Sequence, residues 1–226
     1  EDGWMIAPDT TLGADCGIGI AAQLALLDSD VACGKIECLF TVDEETGLTG
    51  AFALKEGFMD GDILINLDSE DEGELFIGCA GGANTTAQFA YTEIDAPQDY
   101  FFFNVAIKGL TGGHSGDDIN KGRANSNKIA ARLLLIAQDE FEGRMSYFDG
   151  GNLRNAIPRE AYAIVGVPSR LQEKFQTKAM QFMADVKDEF SFTEPTMRLA
   201  LNEMPMVDSV LDMSSQCNLL GALVGV

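Results

Sequence analysis

The second half of the chain changes its hydrophobic period in a fixed order, and few folds satisfy that order. Phe101, Phe103, Val105 and Ile107 alternate with other residues, the period of two expected of a strand with a buried face. From about 123 to 138 the spacing shifts to Ile129, Leu133 and Ile136, a single helical stripe. Strands near 145–148 and 162–167 follow. Leu171, Phe175, Ala179, Phe182, Val186 and Phe190 then mark the buried face of a second long helix, and 197–201 reads as a last strand. Strand, helix, strand, strand, helix, strand is the order of the split β-α-β, ferredoxin-like α+β sandwich. The stretch from Val207 could begin a second copy of this unit, and the sequence ends too early to decide.

The first half reads as α/β. Ile20, Leu24 and Leu27 predict a helix over 17–27, with Asp15 at its N-terminal edge. Ile36, Cys38, Phe40 and Val42 predict a strand over 36–42, and the apolar run at 62–67 suits a buried parallel strand. A helix over 49–56 between them completes a β-α-β unit. The polar, proline-containing connection Asp95-Ala96-Pro97-Gln98-Asp99 sets the expected boundary, giving domains 1–95 and 96–226.

Fifteen Lys and Arg against 36 Asp and Glu leave a formal charge of −21, which argues against nucleic acid or an anionic membrane surface as partner. No apolar run approaches the roughly 18–20 residues of a membrane span. The five cysteines are odd in number and show no Cys-x-x-Cys spacing, so neither a disulfide framework nor a structural zinc site is indicated and a reduced, cytoplasmic setting is expected. The chain starts at Glu1 without an initiator Met and closes on an apolar run from Leu219, as an internal portion of a longer protein would.

Acids cluster at three places near predicted element ends: Asp15, the pair Glu44-Glu45, and Asp68. Each has a plainer reading. Asp15 suits a helix N-cap, and Glu44-Glu45 suits a solvated turn. Yet three acids in Thr41-Val42-Asp43-Glu44-Glu45-Thr46-Gly47 repel one another at the end of a strand unless a cation is present. Ligands gather beyond the carboxyl ends of parallel strands, where Glu44-Glu45 and Asp68 are expected to fall. Neighbouring side chains leave an extended strand in opposite directions, which would give the two glutamates separate roles. A calcium loop starting at Asp68 fails, because Cys79 stands where a bidentate Glu is required. The one histidine, His114, lies in a glycine-rich loop, either as a structural residue or as a presented one. That loop lacks the Gly-Lys-Ser/Thr ending of a phosphate loop and runs into Asp117-Asp118.

Taken in order, Asp-Thr-Thr-Leu-Gly-Ala-Asp (9–15), Thr-Val-Asp-Glu-Glu-Thr-Gly (41–47), Asn-Leu-Asp-Ser-Glu (66–70) and Gly-Gly-His-Ser-Gly (112–116) closely resemble the aminoacylhistidine dipeptidases. These Xaa-His dipeptidases are carnosinase-like, co-catalytic zinc peptidases. Gly-Asp-Asp-Ile-Asn-Lys-Gly-Arg-Ala-Asn (116–125) and Leu-Arg-Asn-Ala-Ile-Pro (153–158) fit the same family. The resemblance implies part of a zinc-peptidase α/β catalytic domain followed by part of a ferredoxin-like lid, through which a homodimer would form. It implies a dipeptide substrate and two Zn²⁺, with Mn²⁺, Co²⁺ or Mg²⁺ as substitutes. Asp15 would bridge the two ions, Glu45 and Asp68 would each hold one, and Glu44 would be the general base. His114 would stabilise the oxyanion and Asn155 would contact the bound dipeptide.

The chain departs from the family pattern by lacking the His-x-Asp motif upstream of Asp15 and the late metal-binding histidine. With oxygen ligands alone, preference would drift from Zn²⁺ toward Mg²⁺, Mn²⁺ or Ca²⁺. These 226 residues by themselves are therefore expected to be inactive or nearly so. Two other readings stay open: a non-catalytic lid-like dimerisation or binding module, and a related exopeptidase or deacylase with a different substrate.

Overall fold

The computed structural model describes residues 3, 5, 8, 15–69, 73–79 and 81–225. Residues 9–14 of the first motif and Glu70 of the third lie outside the described residues, as do positions 71 and 72 of the discarded calcium loop. The chain divides into two compact units, 1–83 and 84–226.

In the first unit, helix α1 spans Gly17–Leu27, where the apolar spacing put it. Two single-turn helices follow, α2 (Glu44–Gly47) and α3 (Thr49–Phe52), the second shorter than the 49–56 expected. Neither 36–42 nor 62–67 is a strand among the described residues. A strand exists only as part of a ladder, and a buried parallel strand needs cover on both faces. Here Ile36, Phe40, Val42, Ile63, Leu64 and Ile65 are exposed. What joins the two segments is polar: Lys35 Nζ lies 2.6 Å from Glu37 Oε1 and 2.7 Å from Asp60 Oδ2, and the Asp60 amide donates to Glu37 Oε2 at 2.8 Å.

The second unit is the ferredoxin-like sandwich. Its elements are β1 (Glu93–Asp95), β2 (Tyr100–Lys108), α4 (Ser126–Phe141), β3 (Arg144–Gly150), β4 (Ala161–Pro168), α5 (Gln172–Glu189), β5 (Arg198–Met204), β6 (Ser209–Leu211) and α6 (Met213–Gly225). The four long strands form an antiparallel sheet in the order β3-β4-β2-β5. Alternation along β2 turns Phe103, Val105 and Ile107 into the same core as Ile129, Leu133, Leu134 and Ala137 of α4 and Phe175, Ala179, Phe182 and Val186 of α5. Helix α4 starts where Asn125 caps it, its side chain accepting from the amides of Asn127 at 3.0 Å and Lys128 at 3.2 Å. Phe175 lies at the centre, its ring 5.5 Å from both Phe103 and Phe141.

Phe102 points to the other face of the sheet and is also buried, in a small cluster with Ala96 and Val210. Strands β1 and β6 carry that cluster as an antiparallel pair, Glu93 opposite Leu211 and Asp95 opposite Ser209. The residues from Val207 therefore close the unit instead of opening a second copy. The pairing also places β1 in the second unit, so the composition change at Asp95-Ala96-Pro97 falls inside it. The apolar tail is helix α6, with Leu220 buried in the main core. Gln216 of α6 is buried with its amide satisfied: Oε1 accepts from the Met145 amide at 2.7 Å, and Nε2 donates to Gly143 O and Gln138 Oε1, both at 3.0 Å. Among the described residues no helix is long and apolar enough to cross a membrane.

Candidate functional site

The acids of the first unit converge, and the start of α1 is what brings them together. Cys16 occupies the cap position, with no side-chain cap bond, so Asp15 is not the N-cap that the sequence also allowed. The Cys16 thiol instead donates to Leu67 O at 3.4 Å. One turn further on, Gly19 lies against the same segment. A Cβ there would fall 2.7 Å from Cys16 Sγ and 3.3 Å from Leu67 Cβ. This close approach brings Asp15 and Asp68 together, and one ligand atom from each of Asp15, Cys16 and Asp68 lies within 4.8 Å of the others.

Cys16 is the residue that sequence reasoning missed. Its cysteines were weighed only by number and spacing, whereas the informative signal was the adjacency of a thiol to Asp15. The donor set at this place is thus mixed, two carboxylates and a sulfur, and not oxygen alone. Such a set fits a divalent cation and widens the choice toward softer ions such as Zn²⁺.

Glu44 and Glu45 do not diverge from an extended strand. They occupy the single turn α2, bracketed by Asp43 and Leu48 in the left-handed region at φ 57° and φ 59°. Thr49 Oγ1 donates to Asp43 Oδ2 at 2.8 Å and fixes the entry to the turn. A turn begins here because no ladder extends the preceding segment. The Glu44 carboxyl is pushed above its ordinary value, first by partial desolvation and then by the charges of Glu45, Asp68 and Asp15. Glu45 is not part of the Asp15, Cys16 and Asp68 group.

His114 and Asn155 belong to the second unit, where the backbone joins them. His114 forms an isolated antiparallel bridge with Ala156; the Ser115 amide donates to Asn155 O at 2.9 Å and the Ile157 amide to Gly113 O at 2.8 Å. Both residues are exposed. A groove lined by Asp149, Asn152, Leu153, Arg159 and Tyr162, among others, flanks the pairing.

The His114 loop is held by two carboxylates. Buried Glu194 accepts from the Thr111 amide at 2.6 Å and the Ala124 amide at 2.9 Å, tying the two ends of the loop to one point. Inside it, Asp118 accepts from the His114 amide at 2.8 Å, from Lys121 Nζ at 2.6 Å and, through an ion pair at 3.1 Å, from Arg123. Lys121, then the His114 amide, hold the Asp118 carboxyl below its ordinary value. Gly113 makes room for this arrangement. At φ 138° it adopts backbone that side chains disfavour, and a Cβ would fall 2.1 Å from Arg123 Nη1 and 2.3 Å from Asp118 Oδ2.

The fold agrees with the comparisons. Residues 105–198, in the second unit, match the peptidase dimerisation domain. The cytosol non-specific dipeptidase of Escherichia coli (strain K12) is 41% identical over 202 residues, covering 89% of this chain and 42% of its own. The crystal structure of aminoacylhistidine dipeptidase from Vibrio alginolyticus superposes with a TM-score of 0.72 at 39% identity, covering 100% of this chain and 46% of that one. Over nearly all of its length the chain is similar to the aminoacylhistidine dipeptidases. It spans less than half the length of these two relatives.

Proposed function

We propose that this chain carries the carboxylate part of the active site, together with lid residues, of a metal-dependent dipeptidase acting on short peptides, Xaa-His dipeptides among them. The observation that carries this reading is the gathering of Asp15 and Asp68, with Cys16, beside a Glu44 whose carboxyl feels all the neighbouring acids. Identity of 41% with a cytosol dipeptidase supports the reaction class and a cytoplasmic setting. Asp15, Glu45 and Asp68 are the residues that would hold two zinc ions, with Mn²⁺, Co²⁺ or Mg²⁺ as alternatives. When bound, the ions supply Lewis acidity and charge neutralisation.

Glu44 is assigned as the general base. Its carboxylate takes a proton from the attacking water as the water oxygen bonds to the peptide carbonyl carbon. The same proton passes to the leaving amine nitrogen as the C–N bond breaks. A base whose proton affinity is raised by partial desolvation and by neighbouring acids is suited to both transfers. His114 donates a hydrogen bond to the developing oxyanion, and Asn155 contacts the bound dipeptide. The second unit, with its match to the peptidase dimerisation domain, is assigned to homodimer formation.

The test is a chimera in which this chain replaces the matching residues of the E. coli dipeptidase. Xaa-His dipeptide hydrolysis is retained in it, and Glu44→Gln lowers kcat by at least about 100-fold, as removal of a general base does. An equally active Glu44→Gln chimera would remove Glu44 from the mechanism, and a chimera that folds and dimerises without hydrolysing any dipeptide would favour a non-catalytic module.

A further inference from the structure

We propose that Asp118 is a positioning residue which, with the backbone amides of Gly116 and Asp117, fixes the neutral His114 ring as the tautomer protonated on Nε2. The inference deepens the assignment of His114 as a hydrogen-bond donor and rests on that reading for its meaning in catalysis. The geometry itself is independent of it. His114 Nδ1 accepts from the Gly116 amide at 3.2 Å and from the Asp117 amide at 3.4 Å. A ring nitrogen that accepts N–H bonds carries no proton, so in the neutral ring the proton belongs to Nε2. Nε2–H is then a donor for whatever oxygen meets it.

Two features make this a built arrangement. The His114 backbone is closed onto residue 118 from both sides, for His114 N–H donates to Asp118 Oδ2 at 2.8 Å and Asp118 N–H donates to His114 O at 3.0 Å. That ring of bonds forces the chain through 115–117 into the turn that aims the two amides at Nδ1. Lys121 and Arg123 hold the carboxylate in place, and Arg123 Nη1 also donates to Gly112 O, just before the turn. One group opposes the assignment. Asp117 Oδ2 lies 3.6 Å from Nδ1 and would favour a proton there, but its side chain is 89% exposed, so water screens it.

Because the chain has a single histidine, the tautomer can be read directly by nitrogen NMR after selective labelling with ¹⁵N-histidine. The spectrum is recorded on the 226-residue chain, above the pH at which imidazole titrates, without metal or peptide. The expected result is one resonance of a bare nitrogen at Nδ1 and one of a protonated nitrogen at Nε2. In Asp118→Ala the two ring shifts converge as tautomers exchange, while Asp118→Asn, which keeps an acceptor for the His114 amide, retains most of the original separation. A wild-type ring protonated on Nδ1, or averaged between tautomers, overturns the proposal without recourse to any variant. So does an Asp118→Ala spectrum identical to wild type. Since no turnover is measured, loss of the dipeptidase reading leaves the tautomer standing, and an averaged ring leaves hydrolysis by the chimera untouched.

Discussion

Gly19 shows how one missing side chain sets the geometry of an acidic site. Its hydrogen allows α1 to lie against Leu67, and that approach is what brings Asp15 and Asp68 together. Gly19→Ala adds a methyl group that cannot be housed without displacing the Cys16 thiol, 2.7 Å away, and easing Leu67 Cβ, 3.3 Å away. Overpacking of this kind costs about 1–3 kcal/mol, and the yielding direction separates the carboxylates. Calorimetric titration with Mn²⁺ should therefore show affinity reduced by about tenfold or more, since 1.4 kcal/mol is a factor of ten. Unchanged affinity would mean that α1 accommodates the methyl without parting the acids. Much of this site was legible as residue types: Asp15, Glu44, Glu45 and Asp68 stand out because like charges are costly together. Cys16 was not legible, because a thiol announces itself as a ligand only when the fold shows what lies beside it.

At the level of elements, what the sequence could show depended on where the partner group comes from. Helix α1 follows from Ile20, Leu24 and Leu27, since a helix satisfies its backbone internally. The runs at 36–42 and 62–67 have strand-like composition, but their backbone groups need a neighbouring chain, which no local pattern supplies. Strand β2 succeeds where they fail because β4 and β5 flank it on both edges. The pairing of His114 with Ala156 is likewise invisible in sequence, as it joins two loops and not two periodic segments. Glu194 extends the point to the loop that carries His114. It lies far along the chain, just beyond α5, and still satisfies both ends of the loop. Glu194→Ala leaves the Thr111 and Ala124 amides without their acceptor, at about 1–3 kcal/mol for the buried Ala124 amide and about 1 kcal/mol for that of exposed Thr111. Urea unfolding of the second unit should shift by about 2–4 kcal/mol in total, with Glu194→Gln intermediate because its amide keeps one acceptor oxygen. Stability equal to wild type in Glu194→Ala would show that water takes over both bonds.

On the scale of the whole molecule, the two units differ in how they are held. Residues 84–226 contain a four-stranded antiparallel sheet and a core that draws on every long element, including α6. The described part of 1–83 is joined largely by short polar contacts and leaves many apolar side chains exposed. A chain cut to 84–226 is therefore expected to fold on its own, with one cooperative urea transition and the near-ultraviolet signal of packed aromatics. Loss of that transition would mean the core borrows stability from 1–83.

The pairing of β1 with β6 has a mechanical consequence. Glu93 and Leu211 are opposite one another at the outer end of this ribbon, and everything from Ala96 to Asp208 hangs beyond it as one excursion of the chain. Tension applied at those two residues would part the ribbon in zipper geometry, one pair after another, and would at the same time draw Leu211 and Val210 out of their packing against the sandwich. The ribbon is thus a strap: it ties the segment leading into the sandwich to the segment leading into α6, whose Leu220 and Gln216 complete the same core.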